Sequence, residues 1–248
     1  MKLNRTVERT IEILETLSQE KNGLTVKDIT KIMKIPKTSA YDILETLVHM
    51  EILEKYTNEL NFYKIGLKSF QIGNSYSHQR EIFKIIDKPL QELAEKTEKT
   101  VFYGLENAGQ IVYISKHESK KAIITTSGIG STNPMYCTSL GKSILAFVSP
   151  EKLEYLLTLQ SFEKNTKYTL SKEELLKELS DIKIKGYALD NREVENHMLC
   201  IGAPIFNFKK EVVGSISISG LFSKERDIDY ESKELLKISF EISRKLGF

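Results

Sequence analysis

Residues 25–47 read TVKDITKIMKIPKTSAYDILETL, and this stretch decides the fold of the N-terminal part of the chain. Thr25-x-x-Asp28 is an approximate capping box, with the shorter acid in place of Glu or Gln, so a helix opens at Thr25. Ile29 and Ile32 form its inward face. Lys34-Ile35-Pro36 makes a turn, and a third helix starts near Lys37 with Ala40, Ile43, Leu44 and Leu47 facing inward. Before this pair, Val7, Ile11, Leu14 and Leu17 recur at helical spacing, which predicts a helix over about 5–19 with Gly23 as its stop. After it come two extended pieces, Ile52–Tyr56 and Phe62–Ile65, with Asn58 suited to the turn between them. Helix, helix, turn, helix and hairpin is the order of a winged helix-turn-helix, here residues 1–65.

Residues 66–78 read as a linker helix, with Leu67, Phe70 and Ile72 apolar, so the linker is placed at 66–79. Residues 80–98 form another helix with Ile82, Ile86, Leu90 and Leu93 on one side, and Pro89 should kink or restart it. From Thr100 the period changes. Thr100–Glu106, Gln110–Lys116 and Ala122–Ser127 read as strands, as do Cys200–Phe206 and Val212–Ser219. Helices are expected from about Ser139 to Phe147, from Pro150, over Ser171–Lys185 with Gly186 ending it, and at about 229–246. Residues 80–248 therefore read as an α+β domain around an antiparallel sheet with flanking helices.

The composition narrows the class. A chain of 248 residues suits one large domain or two smaller ones, at ~100–200 residues each. The balance of 36 basic and 34 acidic residues excludes a uniformly polycationic tail but permits a locally basic face. A 40% hydrophobic content is too high for a disordered chain. Two cysteines exclude a disulfide framework and a four-cysteine zinc site. No apolar run approaches the ~20 residues that cross a bilayer, and Met1-Lys2-Leu3-Asn4-Arg5 leads into no secretory core. The expectation is a soluble cytoplasmic protein with no membrane partner.

Lys37, Thr38, Ser39 and Tyr41 occupy the start of the third helix, where a recognition helix meets base edges and phosphates. Helix-start amides add affinity for phosphate. Arg5 and Arg9 could reach the backbone or a minor groove, and Lys64 could touch phosphate from the wing. Charge is segregated, with Lys27, Lys31, Lys34 and Lys37 around the turn and Glu45, Glu51, Glu54 and Glu59 further on. The same pattern also fits a helical interaction module with a solvated polar face.

Val7-Glu8-Arg9-Thr10-Ile11-Glu12-Ile13-Leu14-Glu15, Gly23-Leu24-Thr25 and Ile35-Pro36-Lys37-Thr38-Ser39-Ala40-Tyr41 resemble the opening of the IclR family of bacterial transcriptional regulators. Pro134-Met135-Tyr136-Cys137-Thr138-Ser139-Leu140-Gly141-Lys142-Ser143 resembles a segment of that family's second domain. So do Gly186-Tyr187-Ala188-Leu189-Asp190, Glu193, Cys200-Ile201-Gly202-Ala203-Pro204-Ile205-Phe206 and Ser215-Ile216-Ser217-Ile218-Ser219-Gly220, along with Ile242–Phe248 at the end. The resemblance spans nearly the whole chain. Three positions depart from it: Asp42 stands where the family usually has Arg, His197 where it has Gly and Tyr136 where it often has His. The first precludes carrying over an operator sequence, and the other two would reshape the ligand pocket.

The resemblance implies a GAF/PAS-like second domain that binds a small effector, a carboxylate or sugar acid. It implies backbone amides of Ser139 and Leu140 on the carboxylate, with Asp190, Cys200, Ser217 and Ser219 as side-chain contacts. Met198 would supply an apolar wall. It also implies a homodimer or dimer of dimers on palindromic operator DNA, most simply as a repressor. The chemistry is coherent, since Ser217 and Ser219 share one side of a strand. Each residue also has a plainer reading. The serines fit a solvated strand face, Cys200 a small core residue and Asp190 a turn carboxylate.

Other chemistries are not supported by motif. Gly141-Lys142-Ser143 lacks the earlier glycine of a phosphate loop, and Gly128-Ile129-Gly130 lacks the third glycine of a dinucleotide fingerprint. No Gly-x-Ser-x-Gly elbow occurs. Cys137, His197 and Cys200 form only a weak zinc hint. No catalytic residue, metal or cofactor is expected. The alternatives are a small-molecule enzyme or a ligand-sensing adaptor using the same pocket.

Overall fold

A computed structural model describes residues 3–57, 61–78, 80–122, 125 and 127–248. The chain divides into two compact units, Met1–Glu81 and Ile82–Phe248.

In the first unit, α1 (Arg5–Ser18) starts at Asn4, whose side chain accepts from the amides of Thr6 and Val7. Its buried residues are Ile13 and Leu17, with Leu14 packed beside them. Val7 and Ile11, expected to face inward, are 59% and 51% exposed. The helix carries apolar residues on more than one side, and only the side against the following helices is covered. Gly23 is not its stop, because α1 ends four residues earlier at the Gln19 cap. Gly23 instead has φ +77° and lies so close to the wing that a Cβ would sit 2.6 Å from the Tyr63 carbonyl oxygen. It leads into β1 (Leu24–Thr25).

The capping box forms in full at α2 (Val26–Met33). Thr25 Oγ1 accepts from the Asp28 amide, and the Asp28 carboxylate accepts from the Thr25 amide. Those bonds hold the Asp28 carboxyl below its usual value. Ile29 is buried, but Ile32, expected inward, is exposed. Lys34 closes the helix in the left-handed conformation, and α3 (Lys37–His49) buries Ala40, Ile43, Leu44 and Leu47 as read. Strands β2 (Leu53–Thr57) and β3 (Asn61–Ile65) pair antiparallel, with β1 on the far side of β3. The turn assigned to Asn58 lies outside the described residues. Helix α4 (Leu67–His78) completes this winged helix-turn-helix unit.

In the second unit, α5 (Ile82–Thr97) runs unbroken through Pro89, so the expected restart does not occur. Strands β4 (Thr100–Asn107), β5 (Gln110–Glu118) and β6 (Thr132–Pro134) are followed by helices α6 (Ser139–Leu145), α7 (Pro150–Thr158) and α8 (Lys172–Lys185). Then come β7 (Ala188–Asn191), β8 (Met198–Phe206), β9 (Val212–Leu221) and α9 (Ile228–Lys245). The sheet order is β6-β5-β4-β9-β8-β7, with every pairing antiparallel. The strand expected over 122–127 falls partly outside the described residues, and Ala122, Thr125 and Ser127 are not in strand. The third strand on that side is the short β6.

Strand parity gives this curled sheet two unlike faces. Val101, Tyr103, Ile201, Ile216 and Ile218 pack with Ile86 and Leu90 of α5 and Leu235 and Ile238 of α9. The opposite face carries Gly104, Gly202, Ser215 and Ser217. A Cβ on Gly202 would lie 2.3 Å from the Ser139 carbonyl oxygen, and one on Gly104 would lie 3.0 Å from Leu140 Cδ1. Ser143 and Ser215 share a hydroxyl hydrogen bond of 2.6 Å. Small residues therefore let α6 rest directly on the sheet at one end of this face. The other end is left open as a cleft.

Candidate functional site

The first unit presents a polar face at the start of α3. Lys37, Thr38 and Tyr41 are exposed, Ser39 is half-buried, and Ala40 behind them is fully buried. Pro36 precedes the helix and supplies no side-chain cap, so the first amides of α3 point outward without a side-chain acceptor. Arg9 reaches from α1 to donate to Ser39 Oγ at 3.3 Å, which brings these two residues together. Arg5 is exposed at the start of α1. Lys64 lies on β3, its ammonium 5.3 Å from the centre of the Tyr56 ring. Lys27, Lys31 and Lys34 are exposed around the turn.

Glu45, set among the acids by sequence, has a structural task. It accepts from Tyr63 Oη and Lys55 Nζ, both at 2.7 Å, and so fastens α3 to the wing. The hydrogen bond from Lys55 holds its carboxyl below the usual value.

In the second unit, a cleft of about 230 Å³ opens on the sheet face beside α6. Three paired residues cross its floor, Asp190 on β7 facing Cys200 on β8, which faces Ser219 on β9; the same row runs on beyond the lining to Thr100 on β4. Phe102, Tyr113 and Asn133 line one side, and Val194, Glu195, His197, Met198 and Leu221 the other. The Phe102 and Tyr113 rings meet edge to face at 5.0 Å, and Asn133 Nδ2 donates to Tyr113 Oη at 3.1 Å. The structure thus gathers Asp190, Met198, Cys200 and Ser219 in the cleft. Ser139, Leu140 and Ser217 are buried but do not line it. Ser217 sits one row along, between Gly202 and Phe102, and the first turn of α6 lies against Gly202.

Asp190 does serve a turn. Its Oδ1 accepts from the amides of Glu193 at 2.8 Å and Val194 at 3.4 Å. Burial still pushes this carboxyl up to about 6. The turn 190–195 that walls the cleft is locked from several directions. Thr169 Oγ1 donates to the Glu193 carbonyl and Thr166 Oγ1 to that of Arg192, both at 2.7 Å. The Arg192 guanidinium lies 3.9 Å from the ring centres of both Tyr168 and Phe222. Lys142, completely buried, donates to Glu193 and to Glu178 of α8.

Neither thiol is poised for nucleophilic chemistry, since burial raises both Cys137 and Cys200 to about 12. Cys137 lies outside the cleft lining and accepts from Asn165 Nδ2. Among the described residues, no three His, Cys, Asp or Glu side chains group so as to hold a metal.

Sequence reasoning missed Phe102, Tyr113, Asn133, Val194, Glu195 and Leu221 in the cleft. Their shared face follows from strand pairing, which no local pattern states. It missed Lys142 as well, although a lysine in the middle of a short apolar helix is itself a signal.

A winged helix-turn-helix with an exposed basic helix start, in one chain with a sheet domain holding a small cleft, defines a DNA-binding transcriptional regulator with a sensor domain. Residues 74–244 match the family described as bacterial transcriptional regulator IclR C-terminal, and residues 6–56 match the IclR helix-turn-helix domain. The chain belongs to the IclR family of bacterial transcriptional regulators. It is 30% identical to the HTH-type transcriptional regulator XynR of Escherichia coli over 252 residues, covering 100% of this chain and 99% of that one. It is 27% identical to KipR of Bacillus subtilis, covering 99% and 98%. The solved IclR structure from Thermotoga maritima superposes with a TM-score of 0.76 at 30% identity, covering 98% and 99%.

Proposed function

We propose that this protein is a ligand-responsive repressor that reads a palindromic operator as a homodimer, singly or as a dimer of dimers, and that its cleft takes a small metabolite. The observation that carries the reading is the start of α3. Its uncapped amides stand beside exposed Lys37 and Thr38, with Arg9 and Ser39 joined behind them. In this reading Lys37, Thr38, Ser39 and Tyr41 meet the major groove. Arg5, Arg9 and Lys64 neutralise phosphates around it. A two-fold protein suits a two-fold site. Support for pairing comes from apolar side chains that the first unit leaves uncovered, Val7 and Ile11 on α1 and Leu67 and Phe70 on α4.

The effector site in this reading is centred on Asp190, Met198, Cys200 and Ser219, with Ser139, Leu140 and Ser217 one layer further in. A ligand shifts operator affinity only as far as it binds one state of the regulator better than the other. An enzyme reading gains nothing from the cleft, whose one thiol is held neutral. A gel shift on the DNA adjoining the protein's own gene tests the proposal. Specific, salt-sensitive retardation supports it, and its absence with and without metabolite mixtures overturns it.

A further inference from the structure

We infer that Asp42 of α3 reads a cytosine in each half of the operator, accepting a hydrogen bond from the N4 amino group on the major-groove edge; this rests on reading α3 as the recognition helix. The helix itself sets the direction. At about 100° per residue, the buried Ala40, Ile43, Leu44 and Leu47 average to a single direction. Thr38 and Asp42 lie within roughly 30° of the opposite direction, whereas Lys37 lies about 110° from it. Both Thr38 and Asp42 are exposed, so they stand at the centre of the solvent face, with Lys37 at its flank. A helix seated in a groove turns its central residues to base edges and its flanking cations to phosphates. Glu45, a turn further along the same line, is already held by Tyr63 and Lys55.

Nothing in the chain uses the Asp42 carboxylate. Among the described residues it has no ion pair and no hydrogen bond, and the side-chain contact of this residue is to its carbonyl, which accepts from Thr46 Oγ1 at 2.7 Å. Arg9, the cation that α1 brings to this helix, donates to Ser39 instead. Asp42 stands in the second turn of α3, too far in to cap the first amides or to gain much from the helix dipole.

A carboxylate carried into a groove between two rows of phosphates is repelled, so it lowers affinity for every sequence unless it meets a donor. An ionised carboxylate only accepts. In the major groove cytosine N4 and adenine N6 donate, while guanine N7 and O6 and thymine O4 accept. Adenine sets its N7 acceptor beside N6, facing the second carboxylate oxygen. Cytosine sets a C–H edge beside N4, which does not oppose it. Cytosine is therefore favoured, and guanine and thymine are penalised twice, by the missing donor and by the facing acceptor. Thr38, a turn nearer the helix start, both donates and accepts and so discriminates less.

The test is selection of sites from a random double-stranded library by the full chain, in parallel with Asp42→Asn and Asp42→Ala. Anisotropy titrations at fixed salt then follow on the selected site. The expected wild-type site carries a cytosine at two symmetry-related positions, and changing either to guanine or thymine weakens binding about tenfold or more. Asp42→Asn should turn that preference to adenine, whose N6 and N7 suit an amide. Asp42→Ala should bind all four base pairs at that position within about twofold and keep the preferences at the other positions.

Enrichment of the same base at every position by all three proteins would overturn the inference and leave the regulator reading standing. A wild-type preference for any base other than cytosine at the position that the variants alter would overturn it too. No enrichment of any site by wild type would sink the regulator reading, and this inference with it.

Discussion

Lys142 Nζ lies 2.5 Å from Glu193 Oε1, with the lysine completely buried and the glutamate nearly so. The same ammonium reaches Glu178 of α8 at 2.8 Å. One side chain of α6 therefore holds the turn that walls the cleft and the helix behind it. The two groups pull in different directions. Burial pushes Glu193 up to about 7 despite the attraction of Lys142. The two carboxylates hold Lys142 above its ordinary value against its own burial. Two hydrogen bonds to Glu178 keep the ammonium charged whichever state Glu193 takes.

Replacing this lysine strands a buried carboxylate. Lys142→Met should cost about 3–5 kcal/mol of unfolding free energy, read from urea denaturation at neutral pH. Adding Glu193→Gln should recover part of that loss, because no charge is then left unpaired at that position. Equal stability of the single and double variants would show that Glu193 is not held by Lys142.

The approach of α6 to the sheet gives a second expectation. Gly202→Ala puts a methyl 2.3 Å from the Ser139 carbonyl oxygen, a backbone atom that cannot swing aside. A loss of about 1–3 kcal/mol or more is expected in the same assay. A neutral substitution would mean that α6 does not rest on β8 as described.

The tie between α3 and the wing gives a third. Tyr63→Phe removes the hydroxyl that donates to Glu45. It should cost about 1 kcal/mol in thermal or urea melts and weaken operator binding by loosening α3. Full stability with unchanged operator affinity would show the bond to be idle.

Asp190 makes stability depend on pH. Its carboxyl is raised from 3.8 to about 6 in the folded chain, so between those values the native state keeps a proton that the unfolded state has lost. Stability from this group is therefore present at low pH and falls as pH rises through the window. Glu193 acts in the same sense, and because the Asp190 charge helps to raise the Glu193 carboxyl, the difference between wild type and an Asp190→Asn variant carries the Asp190 titration together with its effect on Glu193. That difference in unfolding free energy should fall by up to about 3 kcal/mol from pH 4 to pH 6. A flat difference would show that Asp190 titrates as it does in water.

The sequence revealed whatever is local. The Thr25–Asp28 box, the apolar row of α3 and the Gly186 stop each depend on residues a few positions apart, and each forms as read. It misled where apolar residues cover more than one side of a helix. Val7 and Ile11 share a period with Leu14 and Leu17, yet the core takes Ile13 and Leu17. Short edge strands escaped it as well, because three residues of β6 and four of β7 carry too little pattern. The cleft was half legible. The family resemblance implies Asp190, Cys200 and Ser219 as its contacts, but their alignment with Thr100 is a matter of register between strands far apart in the chain. Why Ser139 and Leu140 leave the lining is equally non-local, since it depends on Gly202 admitting α6 to the sheet.

The central claim is that the start of α3 reads operator DNA, and fluorescence anisotropy over a salt series tests it most directly. Wild type and Lys37→Ala are titrated against a labelled fragment adjoining the gene and against a scrambled fragment of equal length. The account predicts tighter binding to the native fragment and a steep negative log–log salt slope. It also predicts that Lys37→Ala makes that slope shallower by about 0.9, the value for a single phosphate no longer neutralised. Equal affinity for the two fragments, or an unchanged slope in the variant, would contradict it.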